Sequence, residues 1–356
     1  VVPRDCCLGS SPRDISTFRG SFLCAEGVVD AQQRKNAVAW LSVISNTVLV
    51  AGKLVIGVLI GSVSVISEAI HSGVDLLAAV IALFAVKTSN KVADAGHPFG
   101  HGKVENISGT AEALLIFLAA GWIIYEAVHK LLAPAPIEAV GWGVGIMLVS
   151  SVMNFGVSQM LFKIGRETDS VALQADAWHL RTDVYTSAGV MAGLGAILLG
   201  ERLLPGANLL WLDPVAAIAV ALLIVHAAWA LTKQSGRDLM DASLPADEIV
   251  WIRARLTGFA PAVRGFHHLR TRKAGAARFV EFHVVVDKDL TVERAHNLAD
   301  AVTRNIKARL PGATVTTHVE PCDGECRPVC LEGCLLTEEH RAAVRADAAA
   351  AKAGRE

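Results

Sequence analysis

Six stretches of mostly apolar residues, each about 20 residues or longer, fill the chain up to residue 235. They run roughly over Val38–Ile60, Val63–Lys87, Ile107–Leu131, Val140–Phe162, Val171–Leu199 and Leu209–Leu231. Each is long enough to cross a hydrocarbon core about 30 Å thick. Composition agrees: 53% of the 356 residues are hydrophobic and 19% charged, against roughly 25% charged in an ordinary globular chain. A net charge of -1 shows no basic excess, so no nucleic-acid partner is expected. Seven cysteines over this length do not make a secreted disulfide scaffold, and the apolar content excludes a disordered chain.

The layout follows. Residues 1–33 read as a flexible N-terminal tail, 34–235 as a six-helix transmembrane domain, 242–320 as a soluble metal-binding domain and 321–356 as a cysteine-containing tail. Residues 1–30 lack the apolar core of a signal peptide, so no cleaved export segment is expected. One side of the spans would carry Arg34, Lys35, Lys87, Lys91, Lys103, Lys163, Arg166, Lys233 and Arg237. The other carries little beyond Lys130 and Arg202. The positive-inside rule makes the first side cytosolic, with both termini and the soluble domain there. A multi-pass protein of a bacterial cytoplasmic membrane is the expected setting, and its cysteines would be thiols.

Ionisable residues inside spans are costly, at about 2.5–3.5 kcal/mol each on insertion scales, and persist mainly where they act. The second span holds His71 and Asp75; the fifth holds His179 and Asp183. In each pair the i,i+4 spacing stacks imidazole over carboxylate on one helix face. At about 1.5 Å per residue, each His lies about 12 Å and each Asp about 18 Å from its helix's entry edge. All four therefore fall near the midplane. Two imidazoles and two carboxylates can surround one ion tetrahedrally, as Zn²⁺ prefers. The bland alternative is a pair of interhelical hydrogen bonds. Glu68 could line an exit path or pair with a neighbour. Asn46 and Asn154 read as interhelical hydrogen-bonding residues. Asp176 could lie on an entry route, face solvent or cap its helix.

The loop after the second span carries Asp94, His97 and His101, a spacing that suits one metal ion or a structural turn built on Pro98, Gly100 and Gly102. Beyond the membrane, 246–257 reads as a helix, Val263–Thr271 and Ala277–Val286 as strands, Thr291–Leu310 as a helix and Ala313–Val319 as a strand. The order αββαβ is that of a small metallochaperone-like α+β layer. Histidines recur along it at His267, His268, His283, His296 and His318, followed by Glu320.

Four motifs in order resemble the cation diffusion facilitator family of divalent metal cation/proton antiporters. They are Ser67–Asp75, His97–Glu105, Asp176–Asp183 and Leu269–Arg272, within a similarity over about residues 34–322. The resemblance implies an α-helical membrane protein with six transmembrane helices and a small cytosolic α+β C-terminal domain. It implies a homodimer that exports divalent transition metal in exchange for protons. His71, Asp75, His179 and Asp183 would form the transport site, with His at the first position as in zinc-preferring members. Two imidazoles also make the site softer than an all-carboxylate one, which disfavours Mn²⁺ and Mg²⁺. Asp94, His97 and His101 resemble an interfacial metal site. Lys103 and Asp241 resemble the salt bridge joining the two domains. His267, His283, His296, His318 and Glu320 would form a zinc site at the dimer interface. Glu320 stands where a shorter Asp is usual, and His268 has no matching role.

Cys322, Cys326, Cys330 and Cys334 form a Cys-x3 repeat that could bind Zn²⁺ or Cu⁺, though Gly324, Pro328 and Gly333 oppose a regular helix and the spacing is not that of a zinc knuckle. Residues after Glu338 form a solvated helix or none. The chain has no phosphate-binding loop and no Asp-Lys-Thr-Gly-Thr sequence, so an ion gradient rather than ATP supplies the energy. No His-Glu dipeptide occurs, which opposes an intramembrane zinc hydrolase. The reading is a transporter, not an enzyme, without organic cofactor, embedded in lipid and carrying Zn²⁺ against protons by alternating access. Fe²⁺, Co²⁺, Cd²⁺ or Mn²⁺ cargo is the alternative, as is a membrane-bound metal sensor without transport.

Overall fold

The structure, a computed structural model, describes residues 18–60, 63–132, 142–203, 211–310 and 312–353. The side chains of 18–29, 57, 60, 63–68, 70–71, 142–144, 146–147, 190, 192–203, 213 and 351–352 lie outside the described residues. So do residues 1–17 of the expected tail.

Six long helices come first: α1 (Phe18–Ile60), α2 (Val63–Ser89), α3 (Lys103–Leu132), α4 (Trp142–Glu167), α5 (Val171–Leu203) and α6 (Leu212–Leu239). Helix α1 starts at Phe18, inside the stretch read as a tail. Among the described residues, α1, α2, α3 and α6 contain segments long and apolar enough to cross a membrane. Small residues let the helices approach closely, as in membrane bundles generally. Ala78, Ala82 and Ala85 of α2, Ala113 and Ala120 of α3, and Ala172, Ala175 and Ala177 of α5 are buried. Large apolar side chains such as Leu59, Leu114, Leu118, Trp122, Leu222 and Trp229 point outward. That is inside-out for a water-soluble bundle and right for one wrapped in lipid.

The C-terminal part runs α7 (Ala246–Thr257), β1 (Gly265–Ala274), β2 (Ala277–Val286), α8 (Val292–Arg309) and β3 (Thr314–Pro321), the expected αββαβ order. Its sheet has the order β1-β2-β3, with β1 antiparallel and β3 parallel to β2. Period-2 alternation along β2 sends Val280, Phe282, Val284 and Val286 into a core with Ile252 and Leu256 of α7 and Val302 and Ile306 of α8. Glu281 and His283 fall on the opposite face. Two further helices follow, α9 (Pro328–Glu332) and α10 (Glu338–Ala353). The Ala- and charge-rich segment is therefore helical over Glu338–Ala353.

Candidate metal sites

The i,i+4 pairs of α2 and α5 touch across a helix interface through one member of each. His179 Nε2 lies 3.1 Å from Asp75 Oδ1, and both side chains are buried. The other imidazole nitrogen, Nδ1, is buried with no hydrogen-bond partner, leaving a donor atom open. Asn154 of α4 donates to Asp183 Oδ2 at 3.4 Å, so this residue, read as interhelical glue, touches one of the candidate ligands. The side chains of His71 and Glu68 lie outside the described residues.

Besides Asp176, the helices bury polar side chains that the sequence did not single out as site residues. Lys53 of α1 is buried and donates to Ser72 Oγ at 2.8 Å, one residue from His71. It is the one lysine in the interior of the first apolar stretch, which was the available signal. Asp176 is fully buried, so it neither faces solvent nor caps an exposed helix end. Its carboxylate lies near that of Glu112 of α3, also fully buried. Glu105 of α3 is buried too; Lys35 Nζ donates to Oε1 at 2.5 Å, Ser89 to the same oxygen at 2.9 Å and Ser170 to Oε2 at 2.6 Å. A buried charge is tolerable only when paired in this way. The pair ties α1, α2, α3 and the start of α5 together.

In the loop after α2, Asp94 sits between two imidazoles. His97 Nδ1 lies 3.3 Å from Asp94 Oδ1, and His101 Nε2 lies 3.3 Å from Oδ2. The backbone N–H of His97 donates to the same carboxylate and, with that of Gly96, holds it below the usual aspartate range. The His101 Nδ1 is buried and unpartnered. Asp94, His97 and His101 offer three ligand atoms within 4.8 Å of one another.

Charged contacts join this region to the sheet. Lys103, at the start of α3, lies 3.0 Å from Asp241, and Arg272 of β1 lies 3.3 Å from the same oxygen. Hydrogen bonding from Lys103 holds the Asp241 carboxyl below its ordinary range. Lys273 and Arg278 both reach Asp169, in the turn before α5, at 2.7 and 3.0 Å. Asn106 accepts from the Gly275 N–H at 2.7 Å and donates to Asp238 at 3.0 Å. Gly102 lies so close to β1 that a Cβ there would stand 2.3 Å from the Ala274 carbonyl oxygen.

On the open face of the sheet, register aligns the histidines. His267 pairs with His283, and His283 with His318, so three imidazoles occupy one rung across β1, β2 and β3. Adjacent strands stand about 4.8 Å apart. The ring centroids follow at 5.1 and 4.8 Å. Glu320, two residues after His318 and on the same face, lies 3.0 Å from His267, 2.8 Å from His283 and 3.5 Å from His318. Burial works against its charge, but the hydrogen bond with His283 and the neighbouring imidazoles hold its carboxyl below the usual glutamate range. His267 Nδ1 is buried and unpartnered, a ligand atom in waiting. His267, His283 and Glu320 bring ligand atoms within 4.8 Å of one another. The longer Glu therefore reaches all three imidazoles.

His268 joins this group. Strict alternation would send it to the opposite face from His267, but a register shift lies between His267 and Arg270, and His268 has a φ of +53°. Its ring stands 4.9 Å from that of His267 and 5.0 Å from that of His283. His296 is not brought here within one chain. It lies exposed on α8, 3.6 Å from Asp300.

Apolar helices around buried ionisable groups, followed by a histidine-bearing α+β domain, make this a multi-pass membrane protein of the transporter class. A family model described as "Cation efflux transmembrane domain" matches residues 39–240, and one described as "Cation efflux protein, cytoplasmic domain" matches residues 244–322. The chain belongs to the cation diffusion facilitator family and is a cation efflux transporter; the family's members are transporters rather than enzymes. It is 36% identical over 263 residues to an uncharacterized transporter of Synechocystis, covering 74% of this chain and 83% of that one. It is 31% identical over 261 residues to the cation-efflux pump FieF of Klebsiella pneumoniae, covering 73% and 84%. Among solved structures, the zinc form of CzrB is 42% identical over 24% of this chain and 96% of its own, with a TM-score of 0.21.

Proposed function

We propose that the protein exports Zn²⁺ from the cytosol by proton antiport, through a site formed by His71, Asp75, His179 and Asp183. The observation that carries this reading is the buried contact between His179 and Asp75 across α2 and α5, with the second imidazole nitrogen open. Neutral imidazole and ionised carboxylate bind the ion from the cytosolic side. An unperturbed imidazole titrates near 6.5, so protons compete for such a site around neutrality. Once the site faces outward, protons from a more acidic exterior displace the metal, and the protonated site turns back.

Two further sites belong to this reading. Asp94, His97 and His101 hold one ion in the loop. His267, His283, His318 and Glu320 hold Zn²⁺ on the sheet face, and exposed His296 completes that shell from a second copy of the chain in a homodimer. Metal there fixes the paired soluble domains, and the Lys103–Asp241 contact carries their position to the bundle. Domain limits of 34–235 for the transport unit and 242–320 for the soluble unit fit this division, with both termini cytosolic in a bacterial inner membrane. The test is flux. Purified protein in vesicles with an acidic interior should accumulate Zn²⁺ ahead of Mn²⁺, Co²⁺, Fe²⁺ and Cd²⁺, and dissipating the pH gradient should stop it. Zinc flux indifferent to the gradient would refute antiport.

A further inference from the structure

The segment after β3 is ordered without a core of its own. Residues 322–350 contain α9 and most of α10, yet none of them is fully buried. Segments too small to bury a core are held by disulfides or a structural metal. This one carries four free cysteines, Cys322, Cys326, Cys330 and Cys334, each half-buried.

Backbone bonds pin both ends of the cysteine stretch to one end of the sheet. The N–H of Cys322 donates to Val286 O of β2 at 2.8 Å. Cys334 forms an antiparallel bridge with Gly265 of β1. Phe266 N–H donates to Gly333 O at 3.0 Å and Leu335 N–H to Arg264 O at 2.8 Å. Gly333 is packed so tightly there that a Cβ would meet the Phe266 oxygen at 1.7 Å. The stretch thus arches from β3, over the strand ends, to the outer side of β1. Cys330, on α9, stands within the arch. Its half-buried thiol has the thiols of Cys334, Cys322 and Cys326 as electrostatic neighbours. Arg345 of α10 donates to Cys326 Sγ at 3.3 Å and so ties that helix to the arch.

We infer that Cys322, Cys326, Cys330 and Cys334 form a second metal site on the soluble domain, an all-thiolate site for Zn²⁺ that staples the arch and α10 to the sheet. Four thiolates match the tetrahedral preference of this ion, and sulfur–zinc bonds of about 2.3 Å would draw the sulfurs inward around it. Binding releases the thiol protons to solvent, so no redox partner is needed. The site differs in chemistry from the histidine–glutamate rung two residues upstream, and it stands whether or not the transport reading holds.

Cobalt separates the sites by colour. Full-length protein, reduced, stripped with chelator and loaded with Co²⁺, should show thiolate-to-cobalt charge-transfer absorption in the near ultraviolet, and Zn²⁺ should bleach it. The band should persist in His267→Ala/His283→Ala. It should vanish, with one metal fewer per chain, when all four cysteines are changed to Ser, although Cys6, Cys7 and Cys24 remain. In wild type, hydrogen exchange of α10 should slow when Zn²⁺ is added, a readout that needs no variant. No charge-transfer band in the wild type, a band surviving the four substitutions, or the four thiols found paired as disulfides in reduced protein would each overturn the assignment.

Discussion

His179 of α5 and Asp75 of α2 stand 104 residues apart in sequence and 3.1 Å apart in space, both buried among helices that face lipid. An imidazole–carboxylate pair in that setting has either a partner ion or a costly desolvation to offset. Asp75→Ala should therefore abolish Zn²⁺ flux, by more than about 100-fold, since loss of supporting groups alone costs 10–100-fold in metal affinity. The substitution also leaves the buried His179 imidazole without its partner, so folding is checked alongside flux. Flux near wild type in vesicles, with a normal elution profile, would remove Asp75 from the transport site.

His71→Asp should broaden selectivity toward Cd²⁺ or Mn²⁺, because an added carboxylate makes the site harder and more anionic. Competition between metals in the flux assay reads this directly. An unchanged order of preference would mean that selectivity is set elsewhere.

The Lys103–Asp241 contact has a pH signature. Its carboxyl titrates below the ordinary aspartate value, chiefly through hydrogen bonding to Lys103. Sign follows: the contact is fully present above the unfolded carboxyl value and is lost only as pH falls through the lowered folded one. Mild acidification should leave the spacing between labels on α3 and on the sheet unchanged, whereas Asp241→Asn should loosen it at neutrality. Loosening of the wild type on mild acidification would show that another titrating group controls the joint.

Gly102→Ala should separate the two parts of the chain without unfolding either. Its Cβ would meet the Ala274 oxygen at 2.3 Å. Overpacking of this kind costs about 1–3 kcal/mol, here at the contact rather than in a core. Hydrogen exchange at Gly275, whose N–H donates to Asn106, should rise while that of Val280 to Val286 stays slow.

His283→Ala should weaken zinc binding to the sheet and loosen the paired soluble domains while sparing basal transport. His283 is the middle of the three-histidine rung and touches Glu320 at 2.8 Å. Inter-protomer distances with and without Zn²⁺ test this; a distance that ignores zinc in the wild type would end the regulatory reading.

Local pattern carried far in this chain. Apolar length announced helices, because backbone groups in lipid must be satisfied within the segment. Period-2 alternation and turn residues announced the αββαβ unit. The spacing of His71 with Asp75, and of His179 with Asp183, is a one-turn relation that sequence alone determines. What the tertiary structure decided is everything that depends on two distant segments arriving together. His179 meets Asp75, and Glu112 comes near Asp176, only because α2, α3 and α5 pack. Strand register, which no single strand encodes, set His267, His283 and His318 on one rung. A bulge turned His268 onto their face against the alternation that sequence implies. Periodicity constrains which way a side chain points from its own element. The neighbour it meets depends on how elements dock, and docking is set by the summed packing of many residues rather than by any local motif.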